Sequence, residues 1–470
     1  MSLFYKPLDG WAADVIPFFW AGEYHLFYLK DYRDRAGHGE GTPWWHLGTR
    51  DFVTFTDYGQ ALARGAPDEQ DLYVFTGSVV YGNGQFHIFY TGHNPYFRQQ
   101  VRPEQGVMHS VSSDLIHWVK VPEDTFYAPL ERYEPHDWRD PFVFWNQEAG
   151  EWWMLLAARL KDGPSRRRGC TALCVSKDLR NWQVQEPLYA PRLYYTHECP
   201  DMFKIGDWWY LLFSEFSQAC VTRYRMSRSS RGPWQAPAND TFDGRAFYAA
   251  KTASDGDQRF IFGWNPTREG ETDTGNWQWG GNIVTHQILQ ERDGTLGVRA
   301  PTTVVGALPT PLPFEFSTGI GDYSYGGDGL VLRASNSFAC ASAGKLPKMC
   351  KIHGGLTFTA GTRDFGMFLR MDEAFEKGYY LRFDPVFNRL VFDFWPRAGD
   401  MPYMIGLERP IHLQPGKPVN LMVFVDGIVL EAYVNDAIAL SARMYEHWEG
   451  NWGFYCSEGD LTVDGVSIHI

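Results

Sequence analysis

Cysteine, basic charge and long apolar runs are what this chain has little of. Seven cysteines are spread over 470 residues, at positions 170, 174, 199, 220, 340, 350 and 456. They are too sparse for a disulfide framework, and their odd number leaves at least one thiol free. They read as reduced, buried side chains. Cys170 and Cys174 lie four apart, but no second cysteine or histidine pair at ligand spacing accompanies them. Core packing is therefore expected there, and no metal. No window of about twenty apolar residues offers a membrane-spanning helix. The opening Met1-Ser2-Leu3-Phe4-Tyr5-Lys6 has no charged start followed by an apolar stretch. A cytoplasmic protein is expected, with a secreted form allowed where a leader has been trimmed away. Lys+Arg number 43 against 56 Asp+Glu, a formal charge of −13, which repels phosphate backbones and anionic lipid. Neither nucleic acid nor a membrane is an expected partner. Long amphipathic helices, coiled coils and low-complexity tracts are also missing.

What is present in excess is the aromatic ring. Phe, Trp and Tyr make up 16% of the chain, within a 44% hydrophobic and 21% charged composition that is ample for a large core. Rings favour strands, and their flat faces stack on the apolar faces of sugars. An all-β, carbohydrate-active protein is the leading class, with a ring-rich β core as the plainer explanation.

A repeat sharpens this. Thr49-Arg50-Asp51-Phe52-Val53-Thr54-Phe55, Ser112-Ser113-Asp114-Leu115-Ile116-His117-Trp118 and Ser176-Lys177-Asp178-Leu179-Arg180-Asn181-Trp182 share one S/T-x-D-hydrophobic-x-x-aromatic pattern, with aspartates 63 and 64 residues apart. A fainter copy spans Ser227 to Trp234. Strand-like runs precede the copies at Tyr24 to Leu29, Phe86 to Tyr90, Trp152 to Ala157 and Trp208 to Phe213, and a fifth, Arg259 to Trp264, is followed by Asn282 to Gln290. Sandwiches seldom repeat a motif at fixed period, so five such units predict a five-bladed β-propeller over residues 1–303. Leu308-Pro309-Thr310-Pro311-Leu312-Pro313 is too rich in proline for a helix or central strand and marks a linker at 304–314. Alternating runs and the Asp426-Gly427 turn beyond it predict a β-sandwich over 315–470.

Glycoside hydrolysis needs two carboxyl groups facing across one sugar bond. Three acids stand in unusual settings near the starts of different blades. Asp14 is embedded in the apolar stretch Trp11 to Phe18, where a lone carboxylate is costly unless paired, solvated in a cavity or functional. Asp140 sits between Arg139 and a backbone-restricting proline, Pro141. Glu198 lies in Thr196-His197-Glu198-Cys199-Pro200, whose weakly polar flanks suit a working acid. Singly, each reads as a cap, an ion-pair partner or a surface acid. Together, at equivalent points of a repeated unit whose inner strands converge on one axis, they point to catalysis.

These residues resemble glycoside hydrolase family 32, the invertases, inulinases and levanases, over nearly the whole chain. Arg139-Asp140-Pro141 is similar to the family's Arg-Asp-Pro motif, Glu198-Cys199 to its Glu-Cys motif, and Phe75-Thr76-Gly77-Ser78 to its aromatic-Ser-Gly-Ser segment. Phe247-Tyr248-Ala249 resembles its fifth blade. The resemblance implies Asp14 as nucleophile, Glu198 as general acid/base and Asp140 as transition-state stabiliser positioned by Arg139. It also implies retention of configuration with carboxyls about 5–5.5 Å apart, cleavage of β-fructofuranosyl bonds in sucrose, fructo-oligosaccharides or fructans, and no metal or organic cofactor. Arg139, Trp45, Phe75, Ser78, Cys199 and Trp264 are the expected substrate-binding residues; Trp44, Trp277 and Trp279 are further candidates for stacking platforms.

One departure stands out. The family's first motif reads Asn-Asp-Pro-Asn, whereas here Ala13 precedes the acid and Val15-Ile16-Pro17 follows it. Ala13 cannot hydrogen-bond a sugar hydroxyl, so the pocket for the cleaved sugar must differ. A fructotransferase closing a difructose anhydride, a furanosidase acting on another sugar such as arabinose, and a non-catalytic sugar-binding propeller are the rival readings. The sandwich is read as an accessory or dimerising surface, which allows a homo-oligomer.

Overall fold

The computed structural model describes residues 2–327, 329–397 and 406–470. Strands dominate throughout, and they form two bodies. The first is a five-bladed propeller. Its innermost strands are Trp11–Trp20, Tyr73–Gly82, Tyr133–Asn146, Glu198–Ile205 and Lys251–Ser254, which pack side by side around one axis. Each is followed by antiparallel neighbours running outward, four strands in blades one, two, three and five and three in blade four. A bridge from Met226 to Gln235 marks the outer edge of blade four. Blades one and five are stitched together where Ala12 pairs with Gly281. Gly281 is needed there because a Cβ would meet the Asn265 carbonyl oxygen at 1.7 Å.

The sequence repeat turns out to be a turn that ends the third strand of successive blades. In three copies the Thr or Ser hydroxyl accepts the N–H of the hydrophobic residue three positions on (Phe52, Leu115, Leu179) at 2.9–3.0 Å. The aspartate Oδ1 then accepts the next two N–H groups. This folds the hydrophobic residue into the left-handed region, φ 62°, 68° and 63° for Phe52, Leu115 and Leu179, where its side chain is buried between blades. A local Asx-type turn offsets the strain of a positive φ with several hydrogen bonds. In the fainter copy Ser229 stands at the aspartate position and accepts one N–H, that of Arg231.

The second body is a β-sandwich whose two longest strands, Gly329–Lys345 and Asn451–His469, bind its layers together. The first half of Asn451–His469 pairs with Asp364–Met371 and its second half with Met349–Phe358. Between the layers lies one large apolar cluster that includes Leu332, Phe365, Leu381, Val423, Leu440, Trp452 and Phe454. Residues 304–314, expected as a linker, are built into both bodies. They begin inside a short helix, Thr302–Gly306, Val304 and Leu308 are buried in the propeller core, and the Leu312 N–H donates to the Ile468 carbonyl at 2.8 Å. Alternate prolines leave free the N–H groups between them, which is enough for edge pairing. All seven cysteines are free, and all but Cys220 are buried.

The bodies meet through a buried polar interface. Asp243 of the propeller accepts from the Ser441 N–H and hydroxyl and faces His286 at 3.1 Å; Ser441 in turn reaches Glu431 at 2.9 Å. Arg443 donates to the carbonyls of Asn265 and Pro266 and to Asn282 Oδ1 at 2.7–2.8 Å. Buried charges of this kind persist only when fully partnered. The partners of Arg443 lie on Arg259–Arg268 and Trp277–Gln290, two strands that pair as a hairpin and carry Trp279, so the sandwich braces the fifth blade.

Candidate active site

Four of the five innermost strands break register at the same end of the axis. Pairing shifts between Ala13 and Ile16, between Phe75 and Gly77, in the partner of Arg139 to Phe142, and between Glu198 and Asp201. Three of these bulges carry a positive-φ residue that is not glycine: Asp14 at 39°, Asp140 at 58° and Cys199 at 48°. A bulge re-aims the side chains around it, and such strain persists where the surroundings over-determine it. Here the bulges bring Asp14, Asp140 and Glu198 to the wall of one cavity of about 700 Å³, together with Thr76, Arg139 and Trp279.

Asp14 accepts from the Thr76 hydroxyl at Oδ2, 2.5 Å, and from the Trp279 indole N–H at Oδ1, 3.0 Å. Burial pushes its carboxyl up to about 7, the charges of Asp140 and Glu198 push the same way, and the two donors oppose them. Asp140 receives the Cys199 N–H at 2.9 Å, while its own N–H donates to the Thr91 hydroxyl at 2.7 Å. Burial also raises the Asp140 carboxyl, against the pull of Arg139. The Cys199 thiol bridges the two aspartates at 3.9 and 3.7 Å.

Glu198 is held differently from the expectation. Arg139 donates to its Oε1 at 2.7 Å, and the Tyr248 hydroxyl donates to Oε2. Weakly polar flanks in the sequence do not translate into weakly polar surroundings in space. Arg139 also grips Asp137 and stands 3.8 Å from Asp140. It therefore orients Glu198 and Asp137 more closely than it orients Asp140.

Of the expected binding residues, Arg139, Phe75 and Cys199 line the cavity. Trp45, Ser78 and Trp264 do not. Trp45 is one strand pair away from the inner ring and stacks under the Lys30 ammonium at 3.7 Å. Ser78 lies two residues past the bulge, where its buried hydroxyl accepts the Val143 N–H at 2.9 Å and ties blade two to blade three. Trp264, on the second strand of its blade, is fully buried in the core beneath Tyr248. Distance from the innermost strand explains Trp45 and Trp264. Thr76, Gln105, Asp137, Tyr195, Phe216 and Tyr248 line the cavity without having been singled out. Thr76 and Tyr248 were visible inside quoted motifs. Tyr195 and Phe216 come from turns with no motif at all.

Both donors to Asp14 favour its ionised form, and removing either raises its pKa further. Thr76→Val should therefore move the acid limb of the pH profile of kcat/KM upward by about one unit. Trp279→Phe should move it the same way by less, and Thr76→Ser should leave it in place. The check is kcat/KM measured from pH 4 to 9 for the four proteins.

A funnel at one end of a five-bladed propeller, with three carboxyl groups from separate blades converging in it, defines a glycosidase. The comparisons with known proteins carry this to a family. The model for the glycosyl hydrolases family 32 N-terminal domain matches residues 4–296, and that for the family 32 C-terminal domain matches 334–470. The chain belongs to glycosyl hydrolase family 32, and it is a fructosyl hydrolase of the β-fructofuranosidase type. It is 26% identical to a sucrose-6-phosphate hydrolase of Escherichia coli, over 96% of this chain and 91% of that one. It is 25% identical to a levanase of Bacillus subtilis, over 99% of this chain and 69% of that one. The solved sucrose-6-phosphate hydrolase of Lactobacillus gasseri shares the fold, with a TM-score of 0.73 at 19% identity over 98% of this chain and 92% of that one.

Proposed function

We propose that the protein hydrolyses unphosphorylated β-fructofuranosides, sucrose or short fructans, with retention of configuration. Asp14 attacks the anomeric carbon of the fructosyl unit while Glu198, oriented by Arg139 and Tyr248, protonates the departing oxygen. A fructosyl ester on Asp14 results. Water deprotonated by Glu198 then attacks the same carbon and frees Asp14. Asp140 accepts hydrogen bonds from sugar hydroxyls, which strengthen as the ring gains oxocarbenium character. The observation that carries this reading is the convergence of three bulged inner strands, each with its acid, on one cavity.

The charge of that cavity supports a neutral sugar. Among the described residues lining it stand the carboxyl groups of Asp14, Asp31, Asp137, Asp140 and Glu198 against one cation, Arg139, and its guanidinium is engaged by Asp137 and Glu198. A phosphorylated sugar entering here meets repulsion without a free partner.

The test is product analysis by NMR after incubation with sucrose, sucrose 6-phosphate, inulin, levan and an arabinofuranoside. Free β-fructofuranose as the first product, with kcat/KM for sucrose at least about tenfold above that for its 6-phosphate, is expected. A cyclic difructose product would move the assignment to a fructotransferase. Release of arabinose instead of fructose, or preference for the phosphorylated sugar, would overturn the proposed substrate.

A further inference from the structure

On the sandwich, one sheet has an outer face that breaks the rule of its kind. An antiparallel sheet covering a core on one side usually shows polar side chains on the other. Inward positions obey it, with Phe365, Met367, Leu381, Phe383 and Phe454 in the core. Outward positions of the same strands carry more rings: Phe338 on Gly329–Lys345, Tyr380 on Gly378–Asp384, Trp395 on Arg389–Trp395 and Tyr455 on Asn451–His469. Trp395 and Phe338 are 38% and 37% exposed. Tyr380 is half-buried and Tyr455 buried, so the two exposed rings flank one partly covered ring cluster, and exposed apolar surface of this kind marks binding surfaces.

The patch is hollow and contains unused hydrogen-bonding groups. These rings surround a cavity of about 330 Å³, at the small end of the range for ligand pockets. Gly366 pairs directly with Arg382 on one side and Tyr455 on the other, so between those two side chains the strand contributes none. Tyr455 is 3% exposed and lines the cavity; among the described residues its hydroxyl stands beside the Asp364 carboxyl without completing a well-formed hydrogen bond, and Arg382 Nε also lacks one. A buried tyrosine hydroxyl normally finds a partner.

The remaining polar groups balance. Asp364 and Asp393 face Arg382 and Arg397 across the same hollow. Arg397 donates to Asp393 at 2.8 Å, Arg382 stands 3.8 Å from Asp393, and burial raises the Asp364 carboxyl above its ordinary range. Two acids against two guanidinium groups favour neither an anion nor a cation. Flat rings beside paired donors and acceptors suit a neutral, many-hydroxyl ring.

From these features we infer that the outer face of the sandwich is a second, non-catalytic binding site for a neutral oligosaccharide. Trp395 and Phe338 stack on sugar rings, and Tyr455, Arg382 and Asp364 bond the hydroxyls. That the bound chain is an oligofructoside rests on the function proposed above; the site itself does not. Its effect is to hold a long substrate on the enzyme between cleavages.

The experiment titrates a fructotetraose into the full-length Asp14→Asn protein by calorimetry, where the ligand is not consumed, alone and combined with Trp395→Ala or Tyr455→Phe. Two binding events are expected in the parent. Trp395→Ala should remove one of them, and Tyr455→Phe, which keeps the ring, should weaken it at least tenfold. In the otherwise wild-type enzyme Trp395→Ala should leave kcat/KM on sucrose unchanged while lowering the rate on levan. A single event that survives both substitutions overturns the inference. So does no binding at all, or self-association on sedimentation that Trp395→Ala abolishes, since the face then serves a second copy of the chain. A single event lost with Trp395→Ala keeps the sandwich site and counts against the proposed function of the propeller funnel.

Discussion

Replacing Asp14 by asparagine is expected to lower kcat on sucrose by about four orders of magnitude, with little change in folding. Asparagine keeps the shape but cannot form the ester, so nothing replaces the lost step. Glu198→Gln should lose a comparable amount on sucrose. It should lose far less on a fructoside whose leaving group departs without protonation, because only the proton donor is missing. Asp14→Asn should show no such recovery. Equal losses on both substrates for both variants would contradict the division of roles.

The same substitution has a signature in stability. The Asp14 carboxyl is raised from an ordinary value near 3.8 to about 7, so between those values the folded state binds a proton that the unfolded state does not. Stability contributed by this group is therefore largest below pH 4, falls as pH rises to about 7, and is level above that. Asp14→Asn removes the dependence. Urea unfolding at pH 5 and pH 8 should show the wild type losing about 1–3 kcal/mol more than the variant between those two conditions.

The second large effect is expected where propeller and sandwich meet. Arg443→Ala should destabilise the protein by about 3–5 kcal/mol, because it strips donors from the buried carbonyls of Asn265 and Pro266 and from Asn282 Oδ1. Activity should fall too. Asn265 and Pro266 pair with Asn282 and Gly281, and that hairpin carries Trp279 to Asp14. The expected result is a lower urea midpoint together with an upward shift of the acid limb in the same direction as Trp279→Phe. A lower midpoint with an unchanged pH profile would mean that the brace is purely structural.

The cavity reports which kinds of signal survive in a linear chain. Asp140 and Glu198 were legible because each sits beside a residue that constrains or marks it, Pro141 and Cys199. Asp14 was legible because an acid inside Trp11 to Phe18 is anomalous. Trp45 and Trp264 looked like sugar platforms on composition and do not line the cavity, since a tryptophan one or two strands from the axis packs away from it. Trp279 was one ring among several until its indole was placed 3.0 Å from Asp14, 265 residues away.

Local and periodic properties belonged to the sequence by itself: five repeated units, the turn that ends the third strand in each of three blades, the change of character near the prolines, and the three acids. Each depends on neighbours within a few residues, where hydrogen-bonding turns and alternation act directly. The tertiary structure alone decided which donors hold each carboxyl, why Arg139 serves Glu198 more than Asp140, and how the sandwich braces the fifth blade. Those depend on bulges that turn inner strands toward a common axis and on partners from 50 to 265 residues away. Packing of the whole chain, and no local preference, brings such groups within hydrogen-bonding distance.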